Sequence, residues 1–130
     1  MSIEGCLVVL LGGFCGGVAR FFVSGVVGRS IGETFPWGTL VVNVSGALTI
    51  GALTGLAQAA GGIFAGDLLR DFAFAGVCGG YTTVSSFCLQ TLNLGLDGQQ
   101  RQAILNVLLS AALCMSAVAV GFWTIVRVVG

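Results

Sequence analysis

Four long stretches of this chain carry almost no charge, and that limits its folds more than any other feature. None occurs from Trp37 to Gly66, from Phe72 to Leu96, or from Gln102 to Val126. From Gly5 to Val27 the only charge is Arg20. Each stretch reaches the roughly 20 residues that a helix needs to cross a bilayer. Only helices and closed barrels satisfy every backbone hydrogen bond in lipid. The pattern therefore predicts an all-α membrane protein with four spans in one domain covering residues 1–130. Composition agrees: 8% of the residues are charged and 56% are hydrophobic, against roughly 25% charged in a soluble domain.

The first span does not read as a cleavable signal. It lacks a basic leader, its only early charge is Glu4, and its apolar run is too long. The apolar pattern predicts helices over about 4–28, 38–60, 67–93 and 101–127. The connections Gly28–Trp37, Gly61–Gly66 and Asn93–Gln100 hold Gly, Pro, Asn or Asp, as turns do. Lipid is thus one partner, and the cell membrane is the expected location, the inner membrane in a Gram-negative source.

Orientation is evenly balanced. Four spans put both termini on one side, with Arg70 and Arg127. Arg29 and Arg101 fall on the other, and there is no lysine. The positive-inside rule has nothing to choose between. Insertion in both orientations is one reading, and insertion guided by a partner is the other. Four short helices are few to enclose a pore, so a dimer is expected. With dual topology it would be antiparallel, like the inverted repeats of larger transporters.

Glycine pairs four residues apart, Gly12/Gly16, Gly13/Gly17, Gly51/Gly55 and Gly76/Gly80, predict close helix packing. Cys6, Cys15, Cys78, Cys88 and Cys114 form no CxxC pair and read as small buried hydrophobes. Net charge is zero and no basic run exists, which excludes nucleic acid as a partner.

The chemistry sits in Gly79-Gly80-Tyr81-Thr82-Thr83-Val84-Ser85-Ser86-Phe87. Paired glycines loosen a helix, and Ser and Thr re-satisfy the backbone groups that a break frees. Lipid tolerates no such break, so the segment must face protein or a water-filled path. Four hydroxyls are too dense for ordinary back-bonding onto the helix. Phe87 closes the run with a positive ring edge that can meet an anion.

Other intramembrane polar groups allow two readings each. Arg20 either snorkels or draws anions into a vestibule; a charge at mid-bilayer costs ~2.5–3.5 kcal/mol on insertion scales. Asn43 lies one turn after Thr39, on the same face. It is either an interhelical tie or an amide donor that replaces water around an anion. Asn106, Ser110 and Cys114 form a weakly polar stripe suited to a pore or a neighbouring helix. No carboxylate lies mid-span, there is no histidine, and no nucleophile–base pair exists. These absences argue against proton-coupled export and against an enzyme. Hydroxyls, amides, ring edges and one arginine suit a passive route for a small anion.

These residues resemble the Fluc (CrcB-type) fluoride channels over essentially the whole chain. The matching pieces are Gly13-Phe14-Cys15-Gly16-Gly17-Val18-Ala19-Arg20-Phe21, Trp37-Gly38-Thr39-Leu40-Val41-Val42-Asn43, and the Gly79–Phe87 run. The resemblance implies an antiparallel dual-topology homodimer that exports fluoride passively through two pathways. It implies that Asn43 and Phe87 line the path, with Ser85 and Ser86 as a polar track and Thr39 and Ser110 as further positions. It also implies a structural Na⁺ at the dimer centre, held by the backbone carbonyls of Gly79 and Thr82 from each subunit.

Two departures stand out. The family run carries two phenylalanines, and here the first is Val84. A serine of the fourth helix is replaced by Cys114, with Ser116 as a competing match. Val84 leaves a heterodimer, in which another subunit supplies the missing ring, as the alternative. Outside the family, the alternatives are a small dual-topology exporter of organic cations and a non-conducting membrane subunit. The exporter normally needs a carboxylate inside the first helix, and Glu4 lies too near the end.

Overall fold

In the computed structural model four apolar spans appear where the uncharged stretches lie. The structure describes residues 2–32 and 34–130, with 63 and 64 by backbone only. Helix α1 runs Ile3–Ile31 and α2 runs Trp37–Ala59. A short 3₁₀ turn, Gly62–Ala65, leads into the third span. Its first half, α3, is three consecutive stretches: Asp67–Leu69, a π-helical Arg70–Cys78, and Gly79–Tyr81. Its second half, α4, is Ser85–Leu96, and α5 is Gln100–Val129.

The helix ends differ from the sequence expectation at the first connection. Gly28 is a buried helical residue, and α1 continues to Ile31. Its stop is Gly32, whose φ of 105° is a conformation only glycine takes freely. The Gly32 N–H closes back onto the Gly28 carbonyl at 2.9 Å. Glu33, in the same connection, lies outside the described residues.

Two pairings carry the packing: α1 against α3, and α2 against α5. Both use the glycines that the spacing singled out. A Cβ on Gly12 would lie 2.6 Å from the Phe72 carbonyl and 2.9 Å from the Gly76 Cα. A Cβ on Gly80 would lie 2.5 Å from the Gly13 carbonyl. Gly121 approaches Leu48 and Ala52 in the same way. The backbones touch, which is how helices associate where no hydrophobic effect drives them together. Gly17 is the exception, with nothing within 4 Å of its notional Cβ.

Much of the apolar side-chain surface points outward, including Leu10, Phe14, Phe21 and Met115. Lipid or a second copy is the natural solvent for that surface. The cysteines depart from expectation here. Cys78 is buried, but Cys6, Cys15 and Cys88 are exposed on this apolar exterior. They are apolar-surface residues rather than core.

Candidate functional site

The third span breaks at Thr82–Val84, just after the paired glycines rather than at them. Gly79 and Gly80 are helical. Their smallness serves the contact with α1, while Thr82 turns the chain out with an extended ψ of 159°. Tyr81 anchors the near side of the break, its hydroxyl 2.9 Å from Ser45 Oγ.

Asn43 anchors the far side. Its Nδ2 donates to the Thr83 carbonyl at 2.8 Å, and its Oδ1 accepts from the Thr83 N–H at 2.8 Å. The carboxamide thus replaces both helical partners that the break takes from Thr83. This is the interhelical tie of the two readings. Because Nδ2 carries two N–H groups, one remains for another acceptor.

The hydroxyls divide their work. Thr82 Oγ1 bonds back to the Cys78 carbonyl at 3.0 Å, the ordinary back-bonding that the density of hydroxyls argued against. Thr83 Oγ1 accepts from the Ser86 N–H at 3.2 Å and lies 3.1 Å from Ser85 Oγ. It caps α4 from two residues ahead of the helix start, in place of Val84, which has no side chain that can cap.

These two side-chain bonds have a consequence for the carbonyls. In an unbroken helix the Thr83 N–H would donate to Gly79 and the Ser86 N–H to Thr82. Here the first donates to Asn43 and the second to Thr83 Oγ1. Among the described residues neither the Gly79 nor the Thr82 carbonyl gains another backbone donor. Both oxygens are left as hard, uncharged ligands of the type that alkali and alkaline-earth cations take. No group of His, Cys, Asp or Glu side chains able to hold a metal occurs among the described residues.

Three spaces surround the break. The widest, about 800 Å³, opens at the Gly32 end of α1 and is lined by Arg29, Trp37, Thr39, Ser86, Gln90 and Asn93, among others. A smaller one, about 260 Å³, lies deeper and contains Arg20, Thr39, Thr83 and Ser86. Thr39 and Ser86 line both. On the other side of the break a groove of about 460 Å³ is lined by Asn43, Thr83, Val84, Phe87, Ser110 and Cys114. Thr83 lines the deep space and the groove alike.

The site residues read from sequence therefore fall into two sets. Arg20, Thr39 and Ser86 share the arginine side, whereas Asn43, Val84, Phe87 and Ser110 share the groove. Ser85 sits at the junction through Thr83. Thr39 and Asn43, one turn apart on α2, open onto different spaces because Thr83 stands between them. Arg20 is half-buried, and no ion pair involves it among the described residues. Val84 is 73% exposed at the groove mouth. Sequence reasoning missed Ser45, Thr83 as a cap, and Thr91. Hydroxyl spacing alone does not distinguish these from back-bonding residues.

Residues 7–122 match a family described as CrcB-like protein, Camphor Resistance (CrcB). The chain belongs to this family. Within it, the chain is 62% identical over 122 residues to a protein of Brucella abortus biovar 1 (strain 9-941) called fluoride-specific ion channel FluC 4, covering 94% of this chain and 92% of that one. It is 55% identical over 120 residues to FluC 2 of Rhodopseudomonas palustris (strain BisB18), covering 92% of each. Identity to the fluoride-specific ion channel FluC of Rhodospirillum rubrum is 47% over 115 residues, covering 88% of this chain and 89% of that one. The CrcB-like match runs from α1 into α5 and so contains the clamp, the break and the groove.

Proposed function

We propose that this CrcB-like chain is a fluoride-selective channel that lets fluoride leave the cytoplasm passively. The names of its relatives support fluoride as the ion. The observation that carries the mechanism is the Asn43–Thr83 clamp, which holds a helix break beside a largely apolar groove that Asn43, Ser110 and the Phe87 ring also line. Fluoride is small and holds its water tightly. A channel must replace that water without binding so firmly that the ion stays. In the groove the second Asn43 N–H, the Ser110 hydroxyl and the Phe87 ring edge are moderate donors, and the Ser86 hydroxyl offers one more on the arginine side. Several in series suit this better than one strong charge. Arg20 raises the local anion concentration at the vestibule without entering the groove. An ion channel makes and breaks no covalent bond, so the chain is not an enzyme.

The working unit is an antiparallel, dual-topology homodimer in the cell membrane. The balanced arginines and the groove's open face support it. The residues at its centre fit a structural Na⁺: the Gly79 and Thr82 carbonyls have lost their helical donors, and two such oxygens from each copy make a small oxygen cage. Bound there, the ion would tie the two breaks together. A heterodimer remains the second reading, favoured by Val84 standing exposed at the groove where the family carries a ring.

The test is fluoride efflux from liposomes holding the purified chain alone, followed with a fluoride electrode. Fast efflux that excludes chloride supports a homodimeric channel. A dimeric sample that passes no fluoride rejects it and makes co-expression with a partner subunit the next step.

A further inference from the structure

Asn106 is a polar side chain at a position that has no need of one for packing. It lies on α5 and is 2% exposed, the most buried polar side chain described. An apolar residue of similar volume would fill that space without the desolvation that a carboxamide carries. What distinguishes Asn106 is where its bonds lead. Its Nδ2 donates to Thr91 Oγ1 at 2.9 Å. Thr91 Oγ1 donates to the Phe87 carbonyl at 2.7 Å. Ser110 Oγ donates to Asn106 Oδ1 at 3.5 Å. Both ends of the chain stop at residues of the groove.

The direction of the chain is determined by proton count. Thr91 has one hydroxyl proton, and the short bond to Phe87 uses it. Thr91 can only accept from Asn106, so the amide nitrogen must face it. The Asn106 oxygen is thereby turned to Ser110. Ser110 then points its proton at Asn106 and its lone pairs elsewhere, the wrong way round for meeting an anion. At 3.5 Å, however, that contact is longer than an ordinary O–H···O bond of about 2.5–3.0 Å. Little is lost when the hydroxyl rotates.

We propose that Asn106 is a positioning residue of the anion path: through Thr91 it holds the first turn of α4 that carries Phe87, and through Oδ1 it keeps the Ser110 proton parked until an anion takes it. This rests on the groove being an anion path. Asn106 touches no ion itself. Empty, the groove presents a Ser110 hydroxyl turned to Asn106. Occupied, it gains a donor whose release from Asn106 is nearly free, which helps an ion both to enter and to leave.

The test uses full-length channel in liposomes, with fluoride and chloride efflux measured for wild type, Asn106→Leu, Thr91→Val and Thr91→Ser. Thr91→Val and Asn106→Leu are expected to slow fluoride efflux by roughly three- to tenfold, the effect of one lost hydrogen bond. Both should narrow the gap between fluoride and chloride. Thr91→Ser keeps the hydroxyl and should stay near the wild-type rate. Asn106→Leu added to Ser110→Ala should slow efflux by less than Asn106→Leu does in the wild type, because only the arm through Thr91 is left to lose. If Thr91→Val and Thr91→Ser behave alike, the contact is packing and the proposal falls. It falls equally if Asn106→Leu conducts as wild type. The threonine pair decides the matter where Asn106→Leu does not assemble. Wild-type vesicles that pass no fluoride sink the anion-path reading, and this inference with it.

Discussion

The chain joins its helices in two different ways. Between α1 and α3, and between α2 and α5, bare backbones meet at glycines with no polar side chain between them. Around the break, α2 meets the third span through Asn43, Ser45, Tyr81 and Thr83, all by hydrogen bonds. The first kind of joint is sensitive to volume and indifferent to chemistry. The second also packs closely, with Gly46 against the Thr82 and Tyr81 side chains, but depends in addition on where each donor points. Rigid glycine joints hold the frame, and the polar joint is where the backbone is irregular.

Four substitutions and one control probe that contrast, the most damaging first. Gly12→Val places new atoms against the Phe72 carbonyl and Gly76. Overpacking costs ~1–3 kcal/mol in soluble cores, and backbone on both sides gives way less. No monodisperse protein should survive size-exclusion chromatography. Gly17→Ala, one turn away in open space, should leave elution and melting unchanged. Equal damage from both would mean that helix propensity, not contact, governs α1.

Asn43→Asp comes second. It removes the N–H that the Thr83 carbonyl accepts and puts a negative charge beside the groove. Fluoride efflux should drop by more than about tenfold, in line with a charge-bearing hydrogen-bond site turned repulsive. Unchanged efflux would take Asn43 out of the path and leave it a structural tie.

Thr83→Val is milder, since it keeps both Asn43 bonds and removes only the hydroxyl's contacts with Ser86 and Ser85. A lost cap costs about 1 kcal/mol, which should appear as a small drop in melting temperature. It also returns the Ser86 N–H to the Thr82 carbonyl, so any stabilisation by Na⁺ over a bulky organic cation should shrink. A melting curve indifferent to both would separate the cap from the cation site.

Val84→Phe is the gentlest. The position is exposed at the groove, so there is room for a ring. Efflux should be retained or faster. A clear loss would show that the groove has adapted around valine.

The spans and the two glycine-rich contacts were readable from residue order, because uncharged length and i, i+4 spacing are local properties. The break was readable to within a few residues. Its cause was misassigned: Gly79 and Gly80 looked like the weak point but are helical. The hydroxyls were read as one cluster, yet Thr82 bonds along its own helix, Thr83 caps the next, and Ser86 faces the arginine side. Thr91 was not singled out at all, because a lone threonine in a helix carries no signal until its neighbour on α5 is known.

Sequence by itself determined that this chain crosses the membrane four times, that its charges favour neither orientation, and which residue types were available to meet an ion. Those follow from transfer of each segment into lipid, one helix at a time. Only the tertiary structure decided that Asn43 takes both backbone partners of Thr83, that Gly79 and Thr82 lose theirs, and that Thr39 and Asn43 open onto different spaces. These depend on pairs 40 residues apart meeting within a hydrogen bond. No local pattern encodes which buried donor will find which acceptor.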